Sequence, residues 1–381
     1  MEMPTQKEST DPAIRSEIEF GLNLLRQQNL SKPLVFSPFS ISLCVSLLHA
    51  ASTGKTRDEI REALLRGSTD EKFEEYFSEL LKTVSNVPSG IDVNIANHVF
   101  CLKDYPIKKS YIDAIKKLYN AGATGLDFSD KEKSAAVMNK FVAEATKGHI
   151  TNIITPEQFE QDLVAVFTNA LYFKADWYEK FQAPRTKIRD FYNSTESKRS
   201  IDFMYRSYSM GKELYSENDQ FEMLRLAYRP LYSSFAMNIF LPKAHCSLKD
   251  AIFTLTAARL QDLLTNTERE DCNNSGHHSE MEIETNINLN DALRATGIDL
   301  AFEIDNEEFR QLAENTHGIS EIAHSAMIEV DEEGTTASAC TRISLRGGGG
   351  PPPRIVDFVA DHPFLFILTK GTHPIFIGIY C

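Results

Sequence analysis

The stretch from Thr335 to Arg346 alternates strictly between two kinds of side chain. Thr335, Ala337, Ala339, Thr341, Ile343 and Leu345 share one parity and are small or apolar; Thr336, Ser338, Cys340, Arg342, Ser344 and Arg346 share the other, which carries the charges. Strict period two is what a half-buried strand requires. Yet this stretch runs straight into the tetraglycine 347–350 and the triproline 351–353. A floppy run followed by a stiff, extended one should stand off the surface. A segment patterned as a buried strand but placed in an exposed loop implies two states, a loop before some event and a strand after it. Two plainer alternatives stay open on composition alone: a disordered linker, or an ordinary edge strand in a finished fold.

At 381 residues the chain is long enough for two or three domains on a length prior of roughly 150 residues each. No Pro/Gly/Ser-rich linker divides it and no repeat appears, so one interleaved unit over 1–381 fits better. With 42% hydrophobic residues it can bury a large core, and with a net charge of −14 it lacks the basic footprint that nucleic acids or anionic membranes demand. The first residues are polar and hold no apolar run behind a basic start, so no secretory signal is expected and a cytoplasmic location follows, or an extracellular one if a leader had been trimmed. The longest apolar stretches, 41–51 and 364–368, fall far short of the ~20 residues of a membrane helix. Six cysteines without CxxC spacing read as free thiols. Sequons at Asn29, Asn193 and Asn273 matter only in a secreted chain.

Helical periodicity appears at 14–25, 37–48, 72–84, 110–119, 131–147 and 247–264, with a strand at 92–101. From Val164 onward short β-branched and aromatic runs dominate, at 164–173, 223–228, 236–241, 326–330, 364–369 and 374–380. The fold class is therefore α+β. Polar loops are expected at 266–279 and 342–354.

The chemistry-bearing motifs come up empty. Thr53-Gly54-Lys55-Thr56 resembles the end of a phosphate-binding loop, but His49 occupies the place of its first glycine and the helical context is wrong. The tetraglycine has no following helix or Lys-Ser/Thr. No GxSxG, HExxH or EF-hand loop occurs, and the adjacent His277 and His278 lack the spaced partners of a metal site. Lys108, Lys109, Lys116 and Lys117 flank a mixed helix, and the neighbouring helix carries Glu71, Glu74, Glu75 and Glu79, which would repel a sulfated sugar. No cofactor, no metal, no catalytic residue and no glycosaminoglycan are expected. A dispersed triad is the enzyme alternative, without a local motif behind it.

One motif does carry weight. Val330-Asp331-Glu332-Glu333-Gly334-Thr335-Thr336-Ala337 resembles the hinge of the serpins, the metastable protease inhibitors. Six further stretches match that family in order: Phe36 to Ile41, Gly54-Lys55-Thr56, Ala96 to Phe100, Asn139 to Ile150, Thr168 to Lys174 with Trp177, and Asp361 to Phe366. The departures are Phe141, where the family usually has Trp, and 280–288, where its Pro-Lys-Phe strand motif is not found. The resemblance, to the intracellular ovalbumin-like or invertebrate type, implies a single serpin domain with about three β-sheets, eight to nine helices and a reactive-centre loop at about 334–355. It implies no enzyme but a suicide inhibitor, whose cleaved loop inserts into the central sheet while still acylated to a serine or papain-like cysteine protease. A monomer is implied, and a non-inhibitory binding or chaperone-like serpin is the alternative. Residue by residue it implies a hinge at Glu332, Glu333, Gly334, Thr335, Thr336, Ala337, Ser338 and Ala339, a shutter at Ser37, Ser40, Asn169 and His324, and a breach at Trp177. Family spacing counted from Gly334 puts the attacked bond between Gly348 and Gly349; counted back from Asp361 it reaches Gly350. Arg346-Gly347 is the alternative bond, since Arg346 is the nearest residue that a trypsin-like pocket would accept.

Overall fold

Asp11 and Ser37 each start a helix in the same way. Their side-chain oxygens accept the N–H of Ala13 and of Ser40, and a proline follows at the first helical position, where its missing N–H leaves nothing unpaired. The computed structural model describes residues 11–159, 164–193, 197–205, 209–243, 247–273, 281–303, 306–314, 319, 321–332 and 355–381.

The helices are α1 (Pro12–Arg26), α2 (Pro38–Ala51), α3 (Gly54–Leu64), α4 (Asp70–Ser85), α5 (Lys109–Tyr119), α6 (Lys131–Ala145), α7 (Leu248–Thr254), α8 (Ala257–Thr265) and α9 (Asn290–Ala295). Helix α2 is buried on every side, as its near-absence of charge demands. Helix α3 escapes periodicity because its apolar stripe is only Ile60 and Leu64 and it opens on a glycine. The expected single helix at 247–264 is two: Leu255 and Thr256 are extended, and Thr256 caps α8 through Arg259 N–H.

The strands are β1 (Leu34–Phe36), β2 (Ile91–Leu102), β3 (Gly122–Leu126), β4 (Ala165–Ala175), β5 (Lys187–Tyr192), β6 (Lys198–Phe203), β7 (Ser209–Glu217), β8 (Phe221–Ala227), β9 (Phe235–Pro242), β10 (Glu268–Asn273), β11 (Met281–Asn288), β12 (Glu321–Val330), β13 (Ile355–Asp357), β14 (Phe364–Lys370) and β15 (His373–Tyr380). They form an eight-stranded sheet in the order β1-β15-β14-β9-β8-β7-β10-β13, a five-stranded sheet in the order β11-β12-β4-β2-β3, and the hairpin β5-β6. Part of the polar loop expected at 266–279 is thus the strand β10, which lies between β7 and β13 near one end of its sheet. Residues 281–288, where no family motif was found, nonetheless form the edge strand β11.

The five-stranded sheet is packed on both faces. On one, Phe167, Leu171 and Phe173 of β4 and Ile322, Ala326 and Ile328 of β12 belong to the main core that contains α2. On the other, α6 and the segment after it lay Met138, Val142, Ile150, Ile153 and Ile154 over Val166, Ala170, Ala323 and Met327. Asn139 holds that segment in place by accepting the N–H groups of Ile153 and Ile154 and donating to the Ile154 carbonyl. No helix among the described residues is long and apolar enough to cross a membrane.

Candidate functional site: the seam between two parallel strands

At the centre of the five-stranded sheet β4 and β12 lie side by side and parallel, in register from Val166 opposite Glu321 to Phe173 opposite Ile328. Every other pairing these two strands make is antiparallel. The seam is therefore a parallel ladder flanked by antiparallel ones, and its replacement by two antiparallel ladders would gain hydrogen bonds and slightly better pairing per residue.

Behind the seam a buried polar relay crosses it. Ser37 N–H donates to His324 Nε2 at 3.1 Å, which leaves the imidazole proton on Nδ1, 2.5 Å from the Asn169 Oδ1 that accepts it. The Asn169 amide then donates to Ser40 Oγ at 2.6 Å and to Asn97 Oδ1 at 2.5 Å. Ser37 Oγ accepts Ser40 N–H and donates to the Ile375 carbonyl. The relay runs from α2 through β12 and β4 to β2, with a branch to β15. Burial holds the His324 pKa down to about 3, so the ring is neutral, as the relay requires. Ser37, Ser40, Asn169 and His324 are thus brought together. Asn97 is the member that sequence reasoning missed; it lay within the matched stretch Ala96 to Phe100, but nothing local marks it as a partner of Asn169.

At the upper end Trp177 is 1% exposed and stacks on Tyr228 with ring centroids 4.3 Å apart. Its indole N–H donates to the Asp331 carbonyl at 2.8 Å. Glu332 is tied to the same region: its carbonyl accepts Phe181 N–H at 2.9 Å and its carboxylate accepts the Thr186 hydroxyl at 2.7 Å. On the outer face Glu329 accepts from Lys174 and Tyr172 of β4. The rest of the expected hinge, Glu333, Gly334, Thr335, Thr336, Ala337, Ser338 and Ala339, and both candidate bonds, Gly348-Gly349 and Arg346-Gly347, lie outside the described residues.

The other sequence features take structural places. The Lys55 and Thr56 N–H groups at the start of α3 are occupied by the Glu308 carboxylate, at 3.1 and 2.7 Å, so no phosphate is needed there. Cys44 and Cys101 are buried free thiols, and burial pushes the Cys101 pKa up to about 12. Among the described residues no group of three His, Cys, Asp or Glu could hold a metal ion.

The family model described as "Serpin (serine protease inhibitor)" matches residues 15–381. The chain is a member of the serpin family. Among this serpin's relatives, Serpin-Z2B of Triticum aestivum is 31% identical over 90% of this chain and 88% of its own. Serpin B6 of Pongo abelii is 28% identical over 92% of this chain and 93% of its own. The structure described as Arabidopsis AtSerpin1 in its native stressed conformation superposes with a TM-score of 0.85 at 26% identity, covering 97% of this serpin and 98% of that chain. The family to which this serpin belongs is one of protease inhibitors, and its fold has the helices and three sheets of the solved structures.

Proposed function

We propose that this serpin inhibits a protease by being attacked and not released. The observation that carries the reading is the parallel β4–β12 seam lying directly ahead of an alternating small-residue segment. That segment follows the upper end of β12, so a strand made from it would run back antiparallel to both neighbours. One parallel ladder would become two antiparallel ones, and the strand's small parity, Thr335, Ala337 and Ala339, leads the way in.

The covalent step is ordinary acyl transfer. The protease's serine or cysteine attacks the carbonyl carbon of the scissile residue, the peptide C–N bond breaks, and the new amino terminus leaves with the proton. The loop's leading part is then held to the protease as an ester or thioester. Insertion of the alternating residues carries the protease about 40 Å at ~3.3 Å per residue. Pulling the acyl group from its near-attack geometry removes the orientation that deacylation depends on. The chain itself needs no catalytic group, metal or cofactor for this. Spacing favours cleavage between Gly348 and Gly349, with Arg346-Gly347 second.

A second reading has one observation behind it: tetraglycine offers no side chain to a specificity pocket, which suits a non-inhibitory serpin acting as a binding or chaperone-like protein. Cleaving the loop with a panel of trypsin-like, elastase-like and papain-like proteases separates the two. Inhibition gives a covalent band on a denaturing gel and a cut product more stable than the intact chain; the second reading gives cleavage with no band and no gain in thermal stability.

A further inference from the structure

Glu329, the penultimate residue of β12, gathers contacts from two other elements across the outer face of the seam. Lys174 Nζ donates to it at 2.8 Å and the Tyr172 hydroxyl at 3.1 Å, both from β4. His149, from the segment that follows α6, stacks flat on Tyr172 with centroids 3.6 Å apart and an 8° tilt, and its Nδ1 lies 3.4 Å from the same carboxylate. The Glu329 side chain is 23% exposed, so water screens these contacts only in part.

The position matters more than the contacts. A strand inserted between β4 and β12 moves them from one strand spacing to two, from ~4.8 to about 9.6 Å apart. Neither the Lys174 nor the Tyr172 bond to Glu329 survives that. The row lies at the upper end of the seam, five residues ahead of His324, where strand separation would begin. His149 adds a third element, because its segment crosses both strands and must lift as they part.

We propose that Glu329 is a positioning residue that latches the seam shut and sets the rate of loop insertion, and that His149 ties the segment after α6 into the same latch. The inference rests on the insertion reading above. The charge state follows from the neighbours. Lys174 favours charge on Glu329, whereas Glu282, directly opposite on β11, and Asp331 oppose it. Burial is the largest single influence and works against the charge, but the Lys174 hydrogen bond and charge, together with the Tyr172 hydroxyl, outweigh it and keep the Glu329 carboxyl below the ordinary glutamate range. The carboxylate is therefore ionised near neutral pH. Lys147, beside His149, is engaged by Asp92 of β2 at 2.8 Å, and Tyr172 stays neutral because burial and Glu329 push its pKa up. His149 Nδ1, 3.4 Å from the carboxylate, and the His149 ring stacked on Tyr172 therefore join the segment after α6 to the same row of contacts across the seam.

The test follows insertion after the loop is cut, at protease concentrations where cleavage is no longer limiting, using the emission of Trp177 and the unfolding temperature of the product. Glu329→Gln and, separately, Lys174→Met insert about tenfold faster than the parent chain near neutral pH, the factor expected for losing one charge-assisted hydrogen bond. His149→Gln, which loses the stack on Tyr172 and the contact with the carboxylate, inserts a few-fold faster than the parent. A merely structural role would lower the native unfolding temperature and leave the insertion rates of these variants parent-like. Parent-like rates in both Glu329→Gln and Lys174→Met overturn the latch while leaving insertion standing, and a parent-like rate in His149→Gln overturns the part of His149. A parent chain that gains no stability on cleavage overturns the insertion reading and the latch with it.

Discussion

Trp177 donates its indole N–H to the carbonyl of Asp331, 2.8 Å away, and so joins the second residue beyond β4 to the first residue beyond β12. It is the chain's only tryptophan. Trp177→Phe keeps much of the stack on Tyr228 but deletes the donor, so it should lower stability by about 1 to 2 kcal/mol, combining one lost hydrogen bond and the smaller ring. Urea midpoints of the two proteins measure it, and equal midpoints would show that the bond contributes nothing.

Asn169 stands at the crossing point of the polar relay, with Ser40, Asn97 and His324 all depending on it. Asn169→Ala should cost about 3 kcal/mol or more, because it leaves several buried groups unpaired at once. Asn97→Ala should cost less. In a double-mutant cycle, Asn169→Ala and His324→Ala should fall well short of additivity; simple addition of the two losses would mean that no relay operates.

His324 gives a pH dependence of definite sign. Its pKa of about 3 in the fold lies below the ordinary 6.5 of the unfolded chain. Below pH 6.5 the unfolded chain takes up a proton that the folded one refuses, so the contribution is complete above 6.5 and is lost as pH falls towards 3. His49 and His98, each held down to about 4 by burial, act in the same direction. Unfolding temperature should be flat above neutrality and decline steadily from about pH 6.5 to 4, with a shallower decline in His324→Gln. A profile identical in that variant would contradict the neutral, buried ring.

Ala337 is a small residue at the leading parity of the hinge. Ala337→Arg should turn the inhibitor into a substrate, because a long cation must enter a sheet that is apolar on one face and covered by α6 on the other. The measurement is the number of inhibitor molecules consumed per protease inactivated; it should rise about tenfold or more if insertion loses the race with deacylation by roughly 1.4 kcal/mol.

How much of this was legible in the sequence depended on distance along the chain. The Ser37-Pro38 start of α2 is a local signal and reads directly. The alternation after Gly334 reads directly too, because parity is also local. The Glu308 carboxylate that fills the start of α3 comes from a distant segment, so Gly54-Lys55-Thr56 could be rejected as a phosphate loop without its real partner being known. Asn97 and the Lys174–Glu329 bond are invisible for the same reason: each is a contact between strands that only the sheet register aligns. The strand β10 was read as a loop because it lacks the apolar alternation that marks a half-buried strand.

The central claim is that cleavage of the loop traps the protease by insertion into the β4–β12 seam. Its most direct test is to mix the chain with the protease panel, run a denaturing gel, map the cut by mass spectrometry and melt the cleaved product. The account predicts a covalent band for at least one protease, a cut at Gly348-Gly349 or Arg346-Gly347, and a cleaved chain that unfolds at a clearly higher temperature than the intact one. Clean cleavage by every protease, with no covalent band and no rise in unfolding temperature, would contradict it.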